Sequence, residues 1–390
     1  MSFTKFRTLP KKIRPAFAIL RFRYYFSDIM RKVAKMFFPS VGALLLAGCV
    51  SFYAVSGADN PEGGLYDLQR SGATQIVRSS KLNCLVRDQG SGRLYGCANR
   101  QGRDRGRTGA IVVIAKTPPL NELEVVQTVT SSGRTPCHVA LSPEGDLLYC
   151  ANYSSGSFAE MKLVDGRVAG KPRIIRHKGG SVKSRQKSPH PHFVGFDPAG
   201  KRLFVCDLGC DRIFVYDRTP GEGIKTPAAA ELVLPPGSGP RHLVFAPDGN
   251  TLYVANELDS TVMSFVRDPK TDNWRPGVIR STLPAGAKRE GNYPGAIKIA
   301  ADGRHFFVAN RGDDSVAVFS TAAGGEFQLV RTVPSGGEFP SDLLLLNGGK
   351  TLAVGHLKNG GVTAFDWDAE KRTLTPSGHW IVPKCAALCE

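Results

Sequence analysis

The chain has 390 residues, of which 42% are hydrophobic and 22% charged, with 43 Gly, 26 Pro and a formal net charge of +17. That balance excludes disordered, collagen-like and coiled-coil chains and predicts a globular protein. The charge is uneven: residues 1–48 hold ten Lys/Arg against one acid, Asp28, which leaves +8 for the other 342 residues. A surplus of that size suits an anionic small molecule. No Arg-rich helix, zinc-finger spacing or basic-aromatic interleaving points to nucleic acid.

The amino terminus reads as a leader. Arg31-Lys32-Val33-Ala34-Lys35 precedes a stretch without charge from Met36 to Ala58, strongly apolar as far as Ala47. This is a signal-peptide layout, and its apolar part is too short for the roughly 20 residues of a spanning helix. Leu46-Ala47-Gly48-Cys49 resembles a bacterial lipobox, which makes Cys49 a lipidation candidate and predicts export to the cell envelope or periplasm with a lipid anchor. The run lies far from Met1, and a start at Met30 would shorten the leader to ordinary length. An organellar presequence and a cytoplasmic location are the alternatives.

Beyond residue 48 the sequence repeats. Pro136-Cys137-His138-Val139, Pro191-His192-Phe193-Val194, Pro240-Arg241-His242-Leu243, Pro294-Gly295-Ala296-Ile297 and Pro340-Ser341-Asp342-Leu343 align, and an earlier copy without proline starts at Asn83. Nine positions after each anchor stands a glycine (Gly92, Gly145, Gly200, Gly249, Gly303, Gly349), which predicts a hairpin turn. Sixteen positions after come Asn99, Asn152, Asp207, Asn256, Asn310 and His356, followed by a third strand of alternating pattern. Units of short antiparallel strands recurring at about 50 residues are the signature of propeller blades. Six copies are visible. The strands near Phe52–Gly57 and Gly64–Leu68 lack an anchored strand, and Pro383–Leu388 is an anchored strand with nothing after it, so the two ends together make a seventh blade. The expected fold is an all-β, seven-bladed propeller over residues 49–390, closed by pairing of its terminal strands.

Ala151-Asn152-Tyr153-Ser154-Ser155-Gly156-Ser157, His190-Pro191-His192, Asp207-Leu208-Gly209-Cys210-Asp211-Arg212, Gly239-Pro240-Arg241-His242-Leu243-Val244-Phe245, Asn256-Glu257-Leu258-Asp259-Ser260-Thr261-Val262 and Ala309-Asn310-Arg311-Gly312 resemble the β-propeller lactonase family. That family includes propeller-type 6-phosphogluconolactonases and carboxy-muconate lactonizing enzymes. Two features depart from it: the opening strand lacks the family's Gly-Thr-Tyr signature, and His356 stands where a glutamine or asparagine is usual. The resemblance implies a lactone hydrolase acting on a small anionic sugar-acid lactone, expected to need no cofactor or metal and to be a monomer; the alternative is a divalent cation held by Glu, Asn and Asp near the axis, as in gluconolactonases of another propeller family. A pentose-phosphate type of substrate would be out of place outside the membrane, so compartment bears on substrate.

Equivalent blade positions converge on the central axis. One residue after the anchor and seventeen after, the polar members include His192, Arg241, Glu257 and Arg311, from three consecutive blades and at one end of paired strands. His192 is the expected base because its ordinary pKa lies near working pH; Glu257 would orient it or take over that role. Arg241 and Arg311 offer planar forks for an oxyanion or acidic substituent. The resemblance implies the same His, Arg, Glu and Arg positions as the site. His190, His242, Asn256 and Asn310 are candidate substrate contacts, although recurrence of Asn or Asp in nearly every blade also suits bonding at strand ends. A basic segment, Lys171 to Lys187, could draw an anionic substrate toward the mouth. Cys84/Cys97 and Cys137/Cys150 lie thirteen apart on strands expected to pair, leaving disulfides and buried thiols both open. No Gly-x-Ser-x-Gly elbow supports a serine hydrolase. A muconate-type isomerase and a non-catalytic envelope-binding propeller are the alternative functions.

Overall fold

The computed structural model describes residues 52–101 and 107–390; the leader, Met30 and Cys49 lie outside the described residues. Its strands form seven antiparallel sheets, six of four strands and one of five. Six blades, numbered in chain order, start with the strands Leu82–Arg87, Pro136–Leu141, Pro191–Phe196, Pro240–Phe245, Tyr293–Ile299 and Glu338–Leu346. The seventh is shared between the ends. Cys385–Cys389 pairs antiparallel with Phe52–Ser56, which leads outward to Gly64–Gln69 and Gly72–Arg78. Each blade's first strand touches the first strands of both neighbours, and the cycle closes through Cys385–Cys389. The expected ring and its closure are both present.

Local chemistry explains the blade. The repeated glycines all adopt a left-handed backbone, φ 65–86° for Gly92, Gly145, Gly200, Gly249, Gly303 and Gly349, a region that costs any residue with a Cβ. They turn the first strand into the second. Leu147–Asn152, Thr251–Asn256 and His305–Arg311 are buried at every position. The reason is that each sheet packs on two neighbours, so both faces of its second strand are covered and polar alternation disappears. Seven hydrophobic clusters fill the spaces, each built from two adjacent blades. Between blades four and five, Phe306 stacks on Tyr253 at 4.6 Å and on Phe319 at 4.7 Å.

Two sequence expectations change. In the first copy Leu82, not Asn83, occupies the anchor: Leu82 pairs with Ala98 as Pro136 pairs with Asn152, and Asn99 N–H donates to Lys81 as Tyr153 N–H donates to Thr135. Ala98 therefore stands where other blades carry Asn, Asp or His. The cysteines settle as thiols. Cys84 and Cys97 lie directly opposite across a strand pair, yet all eight described cysteines are free and seven are buried.

Candidate functional site

The site begins with a backbone irregularity. In blades three and four the pairing skips one residue immediately after the anchor proline, between Pro191 and Phe193 and between Pro240 and His242. The skipped residues are His192 and Arg241. A bulge of this kind bends its strand and re-aims the extra side chain, here at the end of the inner strand. Glu257 and Arg311 directly follow the buried Asn256 and Asn310 on the second strands of blades four and five. Glu257 is fixed by its own N–H, which donates to Gly239 at 2.8 Å. Arg311 is fixed by Nε, which donates to the Tyr293 carbonyl at 2.9 Å.

These four side chains meet. Arg241 Nη1 donates to His192 Nε2 and, at 2.8 Å, to Glu257 Oε2. Arg311 Nη2 donates to the same oxygen at 2.6 Å. A third arginine completes the carboxylate: Arg185 Nη1 donates to Glu257 Oε1 at 2.7 Å, while its Nη2 donates to the Tyr153 hydroxyl at 3.0 Å. Three guanidinium groups thus surround one buried carboxylate. Arg241 Nε, His192 Nδ1 and His242 Nε2 are buried without a partner among the described residues, so hydrogen-bonding capacity is left over at this end of the channel.

The electrostatics follow from that crowding. Burial alone would raise the Glu257 carboxyl, but Arg311, Arg241, His192 and Arg185 outweigh it and hold the group well below the usual range. Burial, reinforced by Arg241, pushes the His192 imidazole well below its ordinary value, so it is neutral at pH 7. Burial and then repulsion from Arg241 bring Arg311 down to about 10, still protonated. The cluster of Arg185, Arg241, Arg311, Glu257 and neutral His192 carries a net charge of about +2 by formal count. It is built to receive an anion.

The remaining candidates fall in two groups. His190 stacks on Tyr153 at 4.4 Å, with Nδ1 3.0 Å from the Tyr153 carbonyl, and Tyr153 in turn meets the edge of His192. His242 lies in contact with His192, His138 and Phe193. Asn256 and Asn310 are brought beside the site in sequence but not into it. Both are fully buried; Asn256 donates to Thr261 Oγ1 at 2.9 Å, and Asn310 donates to the Thr282 carbonyl at 3.0 Å and to Ser315 Oγ at 3.1 Å. The Asn256 amide ties strands of its own blade together, and the Asn310 amide joins the second and third strands of blade five to the chain leaving blade four. Cys137, the bulge residue of blade two, is pushed up to about 12 by burial and stays a thiol. Among the described residues no group of three or more His, Cys, Asp or Glu side chains is arranged to hold a metal ion. A surface cleft of about 610 Å³ between Arg280–Arg289 and Leu329–Arg331 contains none of the site residues.

Sequence reasoning missed Arg185 and Tyr153 as members of the site. Tyr153 carried a signal, since it occupies the same position seventeen after the anchor as Glu257 and Arg311. Arg185 carried none beyond its place in a basic segment.

A closed ring of seven blades with three arginines gathered on one buried carboxylate at one end of its axis defines a propeller with a cationic centre. The family model described as "Lactonase, 7-bladed beta-propeller" matches residues 60–388, and the chain belongs to that family. A 6-phosphogluconolactonase of Bacillus subtilis is 30% identical over 260 residues, covering 66% of this chain and 73% of its own. A 6-phosphogluconolactonase of Formosa agariphila is 27% identical over 289 residues, covering 72% and 80%. The solved structure of the Pseudomonas aeruginosa periplasmic gluconolactonase superposes with a TM-score of 0.76 at 26% identity, covering 87% of this chain and 98% of its own.

Proposed function

We propose that this protein hydrolyses a sugar-acid lactone of the 6-phosphogluconolactone type, using water activated at Glu257 and arginines that hold the developing oxyanion. The observation that carries the reading is the convergence of Arg185, Arg241 and Arg311 on one buried carboxylate. Family membership and the lactonase names of its relatives support it. Water attacks the lactone carbonyl carbon as Glu257 takes its proton. The charge passes to the former carbonyl oxygen, where donors of Arg241 and Arg311 stabilise it. The ring C–O bond then breaks, and the leaving alkoxide recovers the proton from Glu257, giving the open hydroxy acid.

The geometry favours Glu257 over His192 as the base. His192 Nε2 already accepts from Arg241, whereas Oε1 of Glu257 is held only by the partly exposed Arg185. His192 then serves to hold the Arg241 fork. Ring opening of 6-phosphogluconolactone, corrected for the spontaneous rate, is the test. Glu257→Gln should lower kcat by about 10²–10⁴-fold, and His192→Ala should lower kcat/KM by a smaller factor. An unaltered rate in Glu257→Gln would sink the assignment. Formation of an unsaturated diacid, followed by its absorbance, would transfer the site to a lactonizing isomerase.

A further inference from the structure

We propose that Arg185 is a displaceable latch: it caps Glu257 Oε1 while the site is empty and transfers to the acidic group of an incoming lactone, which frees that oxygen to take the proton from water. The inference rests on the lactonase reading above. It starts from a difference between the two oxygens of one carboxylate. Oε2 is shared by Arg241 and Arg311, both carried on strands, with side chains 12% and 9% exposed. Oε1 is held by Arg185, whose side chain is 43% exposed and whose residue lies in the connection between the outer strand of blade two and the inner strand of blade three. Solvent reaches the Arg185 end of this pair although the carboxylate is buried, so an incoming anion can compete for the guanidinium from the open side. The two buried pairs do not share that freedom.

The backbone around Arg185 is pinned while its side chain is not. The next residue, Gln186, is fully buried, and its amide donates to the Leu208 carbonyl at 2.9 Å and to Asp211 Oδ1 at 2.7 Å. Its side-chain oxygen accepts the Lys183 N–H at 3.2 Å, and the Lys183 ammonium bonds the carbonyl of Leu258, the neighbour of Glu257. The connection is thus anchored on both sides of Arg185. What remains to move is the guanidinium, between Glu257 and Tyr153 on one side and the open mouth on the other. The switch is a change of side-chain rotamer, not of the loop.

The charge balance gives the motion its direction. One carboxylate faces three guanidinium groups, so an added phosphate or carboxylate competes directly for the outermost of them. A planar fork suits such a bidentate anion. When Arg185 leaves, Oε1 regains its lone pair and loses the cation nearest to it, so Glu257 becomes a better base as the substrate arrives. The proton taken from water goes to Oε1 and returns to the ring oxygen when the C–O bond breaks. A neutral lactone cannot draw the latch away, so Arg185 discriminates in kcat as well as in KM.

Steady-state kinetics on 6-phosphogluconolactone and on uncharged gluconolactone, with wild type, Arg185→Ala and Arg185→Lys, tests this. For Arg185→Ala the ratio of kcat/KM between charged and neutral lactone should fall on the order of tenfold, while kcat for the neutral lactone rises. The acidic limb of the neutral-lactone pH profile should move to higher pH. Lysine keeps the charge without the fork, so it should recover less than half of the lost ratio. Equal slowing of both substrates with an unmoved limb would make Arg185 a structural strut and overturn the latch, as would full recovery with lysine. Wild type that accelerates neither lactone would instead overturn the lactonase reading, and the latch with it.

Discussion

At the scale of single residues, the site depends on what is missing from the blade-five bulge. Where blades three and four place His192 and Arg241, blade five has Gly295, and the Arg311 side chain occupies the room. A Cβ at Gly295 would lie 3.2 Å from Arg311 Nε and 3.4 Å from its Cδ. Gly295→Ala should therefore push the Arg311 guanidinium by a few tenths of an ångström away from the Tyr293 carbonyl. Misplacing a catalytic group by that much costs about tenfold in rate, whereas the backbone there needs no special conformation. The expected outcome is a lactonase kcat/KM lowered about tenfold with a melting temperature within about 2 °C of wild type; an unchanged kcat/KM would show that Arg311 tolerates the methyl group. His192, Arg241, Glu257 and Arg311 were legible because they recur at fixed offsets from the repeat anchor. Arg185 was not, because its position is set by the burial of Gln186 against blade three and not by any repeat.

At the scale of the element, the inner strands carry an unusual set of histidines. His138, His192 and His242 lie on three consecutive inner strands, in ring contact through His242. Burial pushes His138 down to about 3, with Lys298 and Arg241 adding to it. Burial and Arg241 likewise hold His192 and His242 well below 6.5, with His138, His192 and Lys298 also acting on His242. The unfolded chain binds protons at these histidines near pH 6.5 while the folded chain does not, so stability is complete above that pH and falls as pH drops below it. Each histidine contributes up to about 1.4 kcal/mol per pH unit. Glu257, whose unfolded value is 4.5, adds its own loss only at lower pH. The urea midpoint should therefore fall between pH 7 and 5.5, and His242→Phe, which keeps a ring against Phe193, should flatten that fall by less than about a third, because burial also lowers His305 and His356. An equal slope in His242→Phe would remove His242 from the account.

At the scale of the molecule, the ring is held shut by its last strand. Cys385–Cys389 pairs with Phe52–Ser56, Gly57 N–H donates to the Lys384 carbonyl at 3.0 Å, and Ser56 Oγ donates to Pro383 at 2.6 Å. Asp342 of blade six adds a clasp by accepting the Leu388 N–H at 2.9 Å. Leu388 and Cys385 belong to the cluster between blades six and seven, and Ala387 and Cys389 to the one between seven and one. Deleting residues 383–390 would open two hydrophobic clusters and bare the strand edge of Phe52–Ser56, an invitation to intermolecular pairing. The melting temperature should drop by more than about 5 °C, with aggregated material in size-exclusion chromatography. Retention of both the melting temperature and the elution volume would show that the ring closes without its last strand.

The sequence by itself determined the blade, the number of blades and the closure, because proline anchors, turn glycines and apolar runs act through neighbours a few residues away and repeat. It also singled out His192, Arg241, Glu257 and Arg311, since equivalent positions on a ring must converge. Tertiary structure alone decided the rest. The first copy shifted by one residue because Leu82 enters the apolar contact between blades seven and one, where Val55, Leu65 and Val77 meet Ala387 and Cys389 from the other end of the chain. Asn256 and Asn310 left the site because nearby strand ends claimed their amides. The protonation states of His192 and Glu257 were set by burial and by the arginines packed on them, one held neutral and the other ionised, and burial is a property of the assembled ring.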